Sequence, residues 1–474
     1  MSERSSESLS GSSPLARGIT LTRRAALGAI AAVGAGFVAF GPRGARERHD
    51  GRIVLDYWEK WTGHEGKAMQ TVVDRFNASQ DRIFVRYLVT AGINQKALVA
   101  IAGGRPPDVI GLWNYDVPLF AESEGILPLD ELGEAFGVRI ENYAKGFRPI
   151  MQHPDHTGRV RMWATINTGG TLGLYYNRAR FKEAGLDPDR PPRTFAEMDE
   201  FHARLTRVEK DGTIERVGFL PTEPGWWSWF WPYHRGQTIY DQASDTATIG
   251  TPEAIAAYEW AASYSTAIGV GPAEKFKSGF ANSYDSPMNA FLTGQVAMMV
   301  QGPWLANVIN AYKPDLDYGV GTFPVAEGLV DDSQPIGLVD SDILVIPRGV
   351  RHPEASMEFV AYTQRQDNVE YMATQHMKTS PMASPSDEFV RNHPNRGIRT
   401  HNAIAQSSRA FLAPRTRIWP ELKDILDTTF QQIWKHDLVA GEELPRVQSR
   451  LQFLLDRAEE RRQRRGYSMR GGSA

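Results

Sequence analysis

The sequence predicts an α/β protein with a parallel sheet and a small-molecule site at its strand ends. Short apolar runs alternate with segments of helical periodicity along most of the chain, the pattern of strand–helix–strand units. Clusters of tryptophan and polar residues fall just after predicted strands, where open α/β sheets bind ligands. Residues 168–206 combine a strand, a turn, a proline stop and a capped helix. They read either as an ordinary supersecondary unit or as the passage from one lobe into a second, with a cleft between. The 474 residues have room for two or more domains. A hydrophobic fraction of 41% and a charged fraction of 23% are those of a globular chain.

Residues 1–20 are Ser- and Gly-rich without apolar periodicity and read as disordered. Leu21-Thr22-Arg23-Arg24 then leads into an Ala/Gly-rich apolar run ending near Phe40. A basic region before a short apolar run is an export signal, and the paired arginines give it a twin-arginine character. Cleavage is expected near Ala45, so residues 1–45 form a leader. The alternative is an uncleaved anchor, although the run is short for a span of about 20 residues. Residues 34–39 match a dinucleotide fingerprint only formally, since no strand precedes them. Beyond residue 50 the chain is mildly acidic, which argues against nucleic-acid binding. With no cysteine, disulfides, zinc-thiolate sites, cysteine nucleophiles and a lipid-modified N-terminal cysteine are all excluded.

The folded body is expected from Arg52. Ile53-Val54-Leu55 begin a strand ending in Tyr57-Trp58-Glu59-Lys60-Trp61. Met69, Val72, Val73 and Phe76 mark one face of a helix, residues 83–89 a second strand, and residues 96–102 a helix closing at Gly103-Gly104. Residues 107–112 form a third strand, followed by Trp113-Asn114-Tyr115-Asp116. In the stretch 168–206, residues 172–176 are a strand, Pro191-Pro192 stop regular structure, and Thr194 with Glu197 has capping-box spacing. Phe195, Met198, Phe201 and Leu205 then recur at helical spacing. Trp226, Trp227, Trp229 and Trp231 lie in a segment with no simple periodicity. Thr251-Pro252-Glu253 opens a helix, Gly294 ends one before a strand at 296–299, and Gly302-Pro303-Trp304 turns the chain. Residues 318–324 form a strand, and Asp340-Ser341-Asp342 precede an apolar strand at 343–346. His352-Pro353-Glu354 opens a helix, residues 378–420 read as irregular, and two amphipathic helices close the body before a frayed tail at 456–474. No internal repeat is found, and no membrane span is expected past residue 41.

The sequence contains no Gly-x-Ser-x-Gly, no His-Glu-x-x-His and no phosphate loop. His153-Pro154-Asp155-His156 reads as a surface loop, because proline breaks the helix that would align two imidazoles on a metal. No metal or cofactor is expected. Glu59, Asp116, Asp340 and Asp342 are the carboxylates placed for glycoside chemistry, but no spacing marks an acid and a base. The aromatics are the stronger signal. Trp58, Trp61, Trp113, Trp226, Trp227, Trp229, Trp231 and Trp304 fall in predicted loops, whereas Trp260 and Trp434 lie inside helices and are read as core. An indole face suits the C–H face of a pyranose. Glu59, Asn114, Asp116, Asp340, Asp342 and Arg415 are the polar groups expected to meet its hydroxyls.

Several of these motifs resemble one family, the extracellular sugar-binding proteins of ABC importers of the maltose-binding type. They are Leu174-Tyr175-Tyr176-Asn177, Ala184-Gly185-Leu186 and residues 191–197, together with Pro107-Asp108-Val109, residues 125–130, and residues 294–298 continuing to Gly302-Pro303-Trp304. The resemblance covers about residues 52–455. It implies a two-lobe periplasmic-binding-protein-like fold (type II) with three crossings between lobes. Lobe one is then 52–165 plus 340–380, and lobe two 168–337 plus 385–455, with residues 164–168 as hinge. It further implies hinge closure on a saccharide, delivery to membrane permease subunits, a periplasmic or extracytoplasmic location, a monomer, and no catalysis. The cleft residues it implies are those at 58–61, 113–116, 226–231 and Trp304, with Trp419 as a late aromatic. The chain departs from the family pattern at Asp340-Ser341-Asp342, where glycines are usual. Two acids there suit hydroxyls or a cationic group. A secreted glycoside hydrolase or lyase, and the same fold with a cationic or polyol-phosphate ligand, are the competing readings.

Overall fold

The structure is a computed structural model that describes residues 51–280 and 283–464. The expected leader and the last ten residues of the tail lie outside the described residues.

The first sheet grows from the N-terminal strand–helix units. β1 (Ile53–Glu59) pairs in parallel with β2 (Ile83–Val89) from Ile53↔Ile83 to Glu59↔Val89. Between them α1 (Gly63–Ser79) buries Met69, Val72, Val73 and Phe76, the apolar stripe at i, i+3, i+4 and i+7. α2 (Ile93–Ala102) then leads to β3 (Val109–Trp113), parallel to β1 on its other side. Parallel strands need such crossovers, which is why both ligand-facing strand ends point the same way.

β4 (Thr165–Thr171) is buried along its whole length and runs directly into β5 (Gly173–Asn177) of a second sheet. Asn177 both ends that strand and caps the next helix, accepting from the Arg180 N–H. α3 (Phe195–Leu205) starts as expected, with the Thr194 side chain accepting from the Glu197 N–H at 3.2 Å. The Glu197 carboxylate reaches back to the Arg193 N–H at 2.7 Å, one residue earlier than a capping box predicts. The second sheet is continued by β6 (Ile214–Phe219), β7 (Val296–Gln301) and β8 (Tyr318–Gly321), with β5 antiparallel to β7 and β8, β6 parallel to β7, and the two-residue strand Arg207–Val208 at the edge beside β6. α4 (Leu305–Tyr312) follows β7 across the Gly302-Pro303-Trp304 turn.

β9 (Gly337–Val345) ties the two halves together. It pairs antiparallel with β3, Asp342 opposite Trp113, and with β4, Asp340 opposite Gly170. A register shift between Asp342 and Ile343 interrupts the β9–β4 ladder, which resumes at Ile343↔Ile166. Asp340-Ser341-Asp342 are therefore inside a strand, not in a loop before one.

Among the described residues two large hydrophobic cores form, with a small third cluster of Ala373, Phe389 and Ile398. One draws on residues from 55 to 166 and from 339 to 405, the other on residues from 172 to 338 and from 411 to 455. Two further expectations are corrected. Residues 378–420 contain helices Asp387–Asn392 and Ile398–Gln406. The helix read as ending near 455 continues from Ala440 to Gln463, because Leu455, Ala458 and Arg462 are buried along its inner face. α5 (Trp419–Trp434) precedes it. Among the described residues no helix is long and apolar enough to cross a membrane.

Candidate ligand-binding site

A cleft of about 1080 Å³ opens between the two sheets' lobes. Trp61, Glu65 and Ile93 line it from the first lobe, Tyr284, Trp304, Asn307 and Tyr312 from the second. Its floor is made by Gly170 and Asp340-Ser341-Asp342 of the paired crossing strands, with Lys378 beside them. A smaller chamber of about 320 Å³ adjoins it, walled by Tyr115, Trp227, Trp229 and Trp419. Asp340 lines both spaces.

The cleft floor holds a charged knot whose members come from four separate segments. Glu59, at the end of β1, is fully buried. Its carboxylate accepts from Tyr57 Oη at 2.7 Å, the Lys60 N–H at 2.8 Å and Asn167 Nδ2 at 3.2 Å. Space for it exists because residue 111 is glycine, where a Cβ would lie 1.9 Å from Glu59 Oε2. Lys60 Nζ reaches Asp342 Oδ1 at 2.9 Å and Glu59 Oε1 at 3.2 Å. It also stands 5.1 Å from the ring centres of Trp61 and Trp113, within cation–π range. Lys378 Nζ reaches Asp342 Oδ2 at 2.6 Å and Thr168 Oγ1 at 3.0 Å.

Asp342 thus has a lysine on each oxygen. Burial opposes its ionisation, but the two ammonium groups outweigh burial and hold its carboxyl below the usual range. The same pairing raises both lysines against the desolvation that would lower them. Asp340, two residues away, is shifted the other way. Burial and the neighbouring Asp342 charge push it up to about 6. Its Oδ1 accepts from Asn114 Nδ2 at 2.8 Å and from the Ser341 N–H at 2.9 Å. Its Oδ2 has no hydrogen bond among the described residues.

Trp304 is placed by two glycines. A Cβ on Gly302 would meet its ring at 2.3 Å, and one on Gly170 at 3.0 Å. The indole therefore folds back over its own turn and rests on crossing strand β4. Its centroid lies 6.3 Å from that of Trp227, which continues the aromatic wall into the chamber. Trp229 and Trp419 meet edge-on at 5.1 Å, and Trp113 stacks on Tyr115 at 6.1 Å.

Of the residues expected from sequence, Trp61, Trp113, Trp304, Asp340 and Asp342 line the cleft, and Asn114, Trp227, Trp229 and Trp419 line the chamber. Others lie elsewhere. Trp58 is inside β1 and packs against the first core, because the strand runs to Glu59. Glu59 is beneath the floor, saturated by hydrogen bonds. Asp116 is buried, with both oxygens taken by Asn94 Nδ2 at 2.7 and 2.8 Å, and burial pushes it up to about 7. Trp226 is on the rim, 5.0 Å from Tyr284 and 40% exposed. Trp231 is in the second core. Arg415 donates to the carbonyls of Ile150 and Gln152 and borders a separate polar crevice with Glu122, Arg417 and Arg462. His153 is not on a surface loop. It is buried in a short strand with Nε2 3.0 Å from Glu122 Oε1. Sequence reasoning missed Glu65, Tyr284, Asn307, Tyr312 and Lys378, and the ion-pairing role of Lys60. Lys60 could have been suspected as the one cation within an aromatic cluster. Lys378 carries no local signal at all. Among the described residues no cluster of side chains could hold a metal ion.

Two α/β lobes, strands shared between them and an aromatic cleft at the crossing define a ligand-capturing protein. Residues 60–370, well over half of the chain, match the family of bacterial extracellular solute-binding proteins, and the chain belongs to that family. A curated relative is the sn-glycerol-3-phosphate-binding periplasmic protein UgpB of Pectobacterium atrosepticum, 21% identical over 430 residues, spanning 86% of this chain and 92% of that protein. Among solved structures, CpMnBP1 with mannotriose bound superposes with a TM-score of 0.69 at 26% identity, covering 84% of this chain and all of that one. UgpB from Mycobacterium tuberculosis in complex with glycerophosphocholine gives a TM-score of 0.69 at 22% identity, over 86% of this chain and 99% of that one.

Proposed function

We propose that this protein captures an oligosaccharide between its two lobes and passes it unaltered to a membrane permease. The observation that carries the reading is the pairing of charge at the cleft floor. Lys60 and Lys378 are matched by Asp342 and Glu59, so neither cation is free for a ligand, and the cleft offers aromatic surface, hydrogen-bonding groups and the Asp340 and Glu65 carboxyls. Apolar walls with a few placed polar groups are the general form of a small-molecule site. A cleft of about 1080 Å³ has room for more than one pyranose ring. One structural relative has mannotriose bound, an oligosaccharide. A phosphate ligand is the weaker alternative, since both lysines on the floor already hold Asp342. Hydrolysis is disfavoured for a similar reason. Asp340 and Asp342 have the divided acidities of an acid–nucleophile pair, but each Asp342 oxygen is held by an ammonium group.

The lobes, 52–165 with 340–380 and 168–337 with 385–455, are taken to close about residues 164–168 as a hinge. The twin-arginine leader would place a monomer in the periplasm or outside the cell. The reading is tested by thermal unfolding with a saccharide panel that includes mannobiose, mannotriose, maltose and maltotriose. A saccharide at 100 times its dissociation constant should add roughly 2.7 kcal/mol of stability, and chromatography should recover it intact. No shift across the panel, or release of new reducing ends, would contradict it.

A further inference from the structure

The cleft and the chamber differ in electrostatic balance. On the cleft floor Lys60 and Lys378 pair with Asp342 and Glu59, while Asp340, which lines both spaces, makes no ion pair among the described residues. The chamber's one ammonium group, Lys423, is engaged by Asp427, whose other oxygen accepts from Ser228 Oγ. This leaves the Asp340 carboxylate, with its unbonded Oδ2, facing the chamber, and Asp424 at the chamber lining as well. Around them stand three indoles and a phenol, of Trp227, Trp229, Trp419 and Tyr115. A carboxylate inside an aromatic box is the arrangement that holds a cationic nitrogen, because ring faces and carboxylate attract it together. A neutral ring would leave the Asp340 charge shut away from water with no ion-pair partner of its own, since Lys378 is held by Asp342, which is costly. The Trp229 indole N–H is buried and has no acceptor among the described residues.

We propose that the chamber receives an amino-sugar unit of the ligand, a pyranose whose protonated amine pairs with Asp340 while its ring lies against Trp227, Trp229 and Trp419. This rests on the saccharide-capture reading and narrows its substrate class. The shared position of Asp340 places the amine where the chamber opens into the cleft, so the rest of the saccharide extends along Trp304. Asp340 then distinguishes an amine from a hydroxyl, and its loss changes selectivity, not only affinity.

The test uses the full-length mature protein and two matched probes, glucosamine hydrochloride and glucose, at equal ionic strength and pH 7, read by tryptophan fluorescence and thermal unfolding. Glucosamine should bind about tenfold more tightly than glucose, the scale of one desolvated cation–π and ion-pair contact. In Asp340→Asn the ratio of the two affinities should fall to near one, whatever the absolute values. Equal binding of both probes by the wild type, or a glucosamine preference that survives Asp340→Asn, would overturn the assignment. Failure of both probes while a neutral saccharide from the panel still stabilises the protein would also overturn it, and would leave saccharide capture standing. Failure of the probes and of the whole panel would remove both.

Discussion

Asp340 and Asp342 are two positions apart on one strand, yet their environments divide their chemistry. Asp342 is ionised in the folded protein at a cost that two lysines more than offset. Its lowered pKa means that its contribution is present above the unfolded carboxylate range of about 4 and is lost as the pH falls further. Removing one partner strands a buried charge, so Lys378→Ala should cost on the order of 3 kcal/mol in chemical denaturation at pH 7. A change below about 0.5 kcal/mol would show the knot to be loosely held. Asp340 has the opposite sign. Its carboxyl is raised to about 6, so the folded state keeps a proton that the unfolded chain has lost. Ligand-free stability should therefore decline between about pH 4 and 6 through this residue. Asp340→Asn should remove that decline and stabilise the empty protein by about 1–3 kcal/mol at pH 7, with little effect at pH 4. A mutant no more stable at pH 7 than at pH 4, relative to wild type, would refute the assignment of the raised carboxyl. The sequence marked both acids as unusual but could not separate them, because the lysines that do so are Lys60 and Lys378, remote in the chain.

At the scale of elements, two glycines decide where functional side chains go. Gly111 in β3 leaves the volume that Glu59 occupies, and Gly302 lets Trp304 fold back over the turn between β7 and α4. Gly111→Ala should displace the Glu59 carboxylate and destabilise the protein by about 1–3 kcal/mol in thermal unfolding, the usual cost of overpacking. Gly302→Ala should act mainly on the ligand, by tilting Trp304 out of the wall. Its signature is a weakened saccharide affinity measured by calorimetry, with a smaller loss of stability than Gly111→Ala. The strands β1 to β3 were legible because their apolar alternation and the helical stripe between them are strong local patterns. The helix Ile398–Gln406 was not, since only Ile398, His401, Ile404 and Ala405 are buried on it and two of its turns are polar. The aromatic segment was read as lacking a simple pattern, and it consists of turns up to Phe230 before a short 3-10 helix at Trp231–Arg235, but sequence could not tell which indoles turn inward. Trp231 packs on Phe219, Phe230 and Trp260, whereas Trp227, four residues earlier, faces the chamber.

Over the whole molecule, the site exists only where two lobes share strands. β4 and β9 lie side by side, and the residues that pair across them, Gly170 with Asp340 and Thr168 with Asp342, form the floor. In the proposed capture, a ligand there would touch both lobes and bias their relative arrangement by its difference in affinity for the two states. This placement was not legible as a motif, because Glu59, Thr168, Asp342 and Lys378 meet only after folding. What the chain did disclose was the tryptophan signal, and it is also the handle for the decisive experiment. The saccharide that stabilises the protein in the panel should be titrated calorimetrically into wild type, Trp304→Ala and Trp227→Ala. Capture between the lobes predicts that each substitution weakens binding by about 1–3 kcal/mol, roughly ten- to a hundredfold. Undiminished affinity in both variants would contradict it.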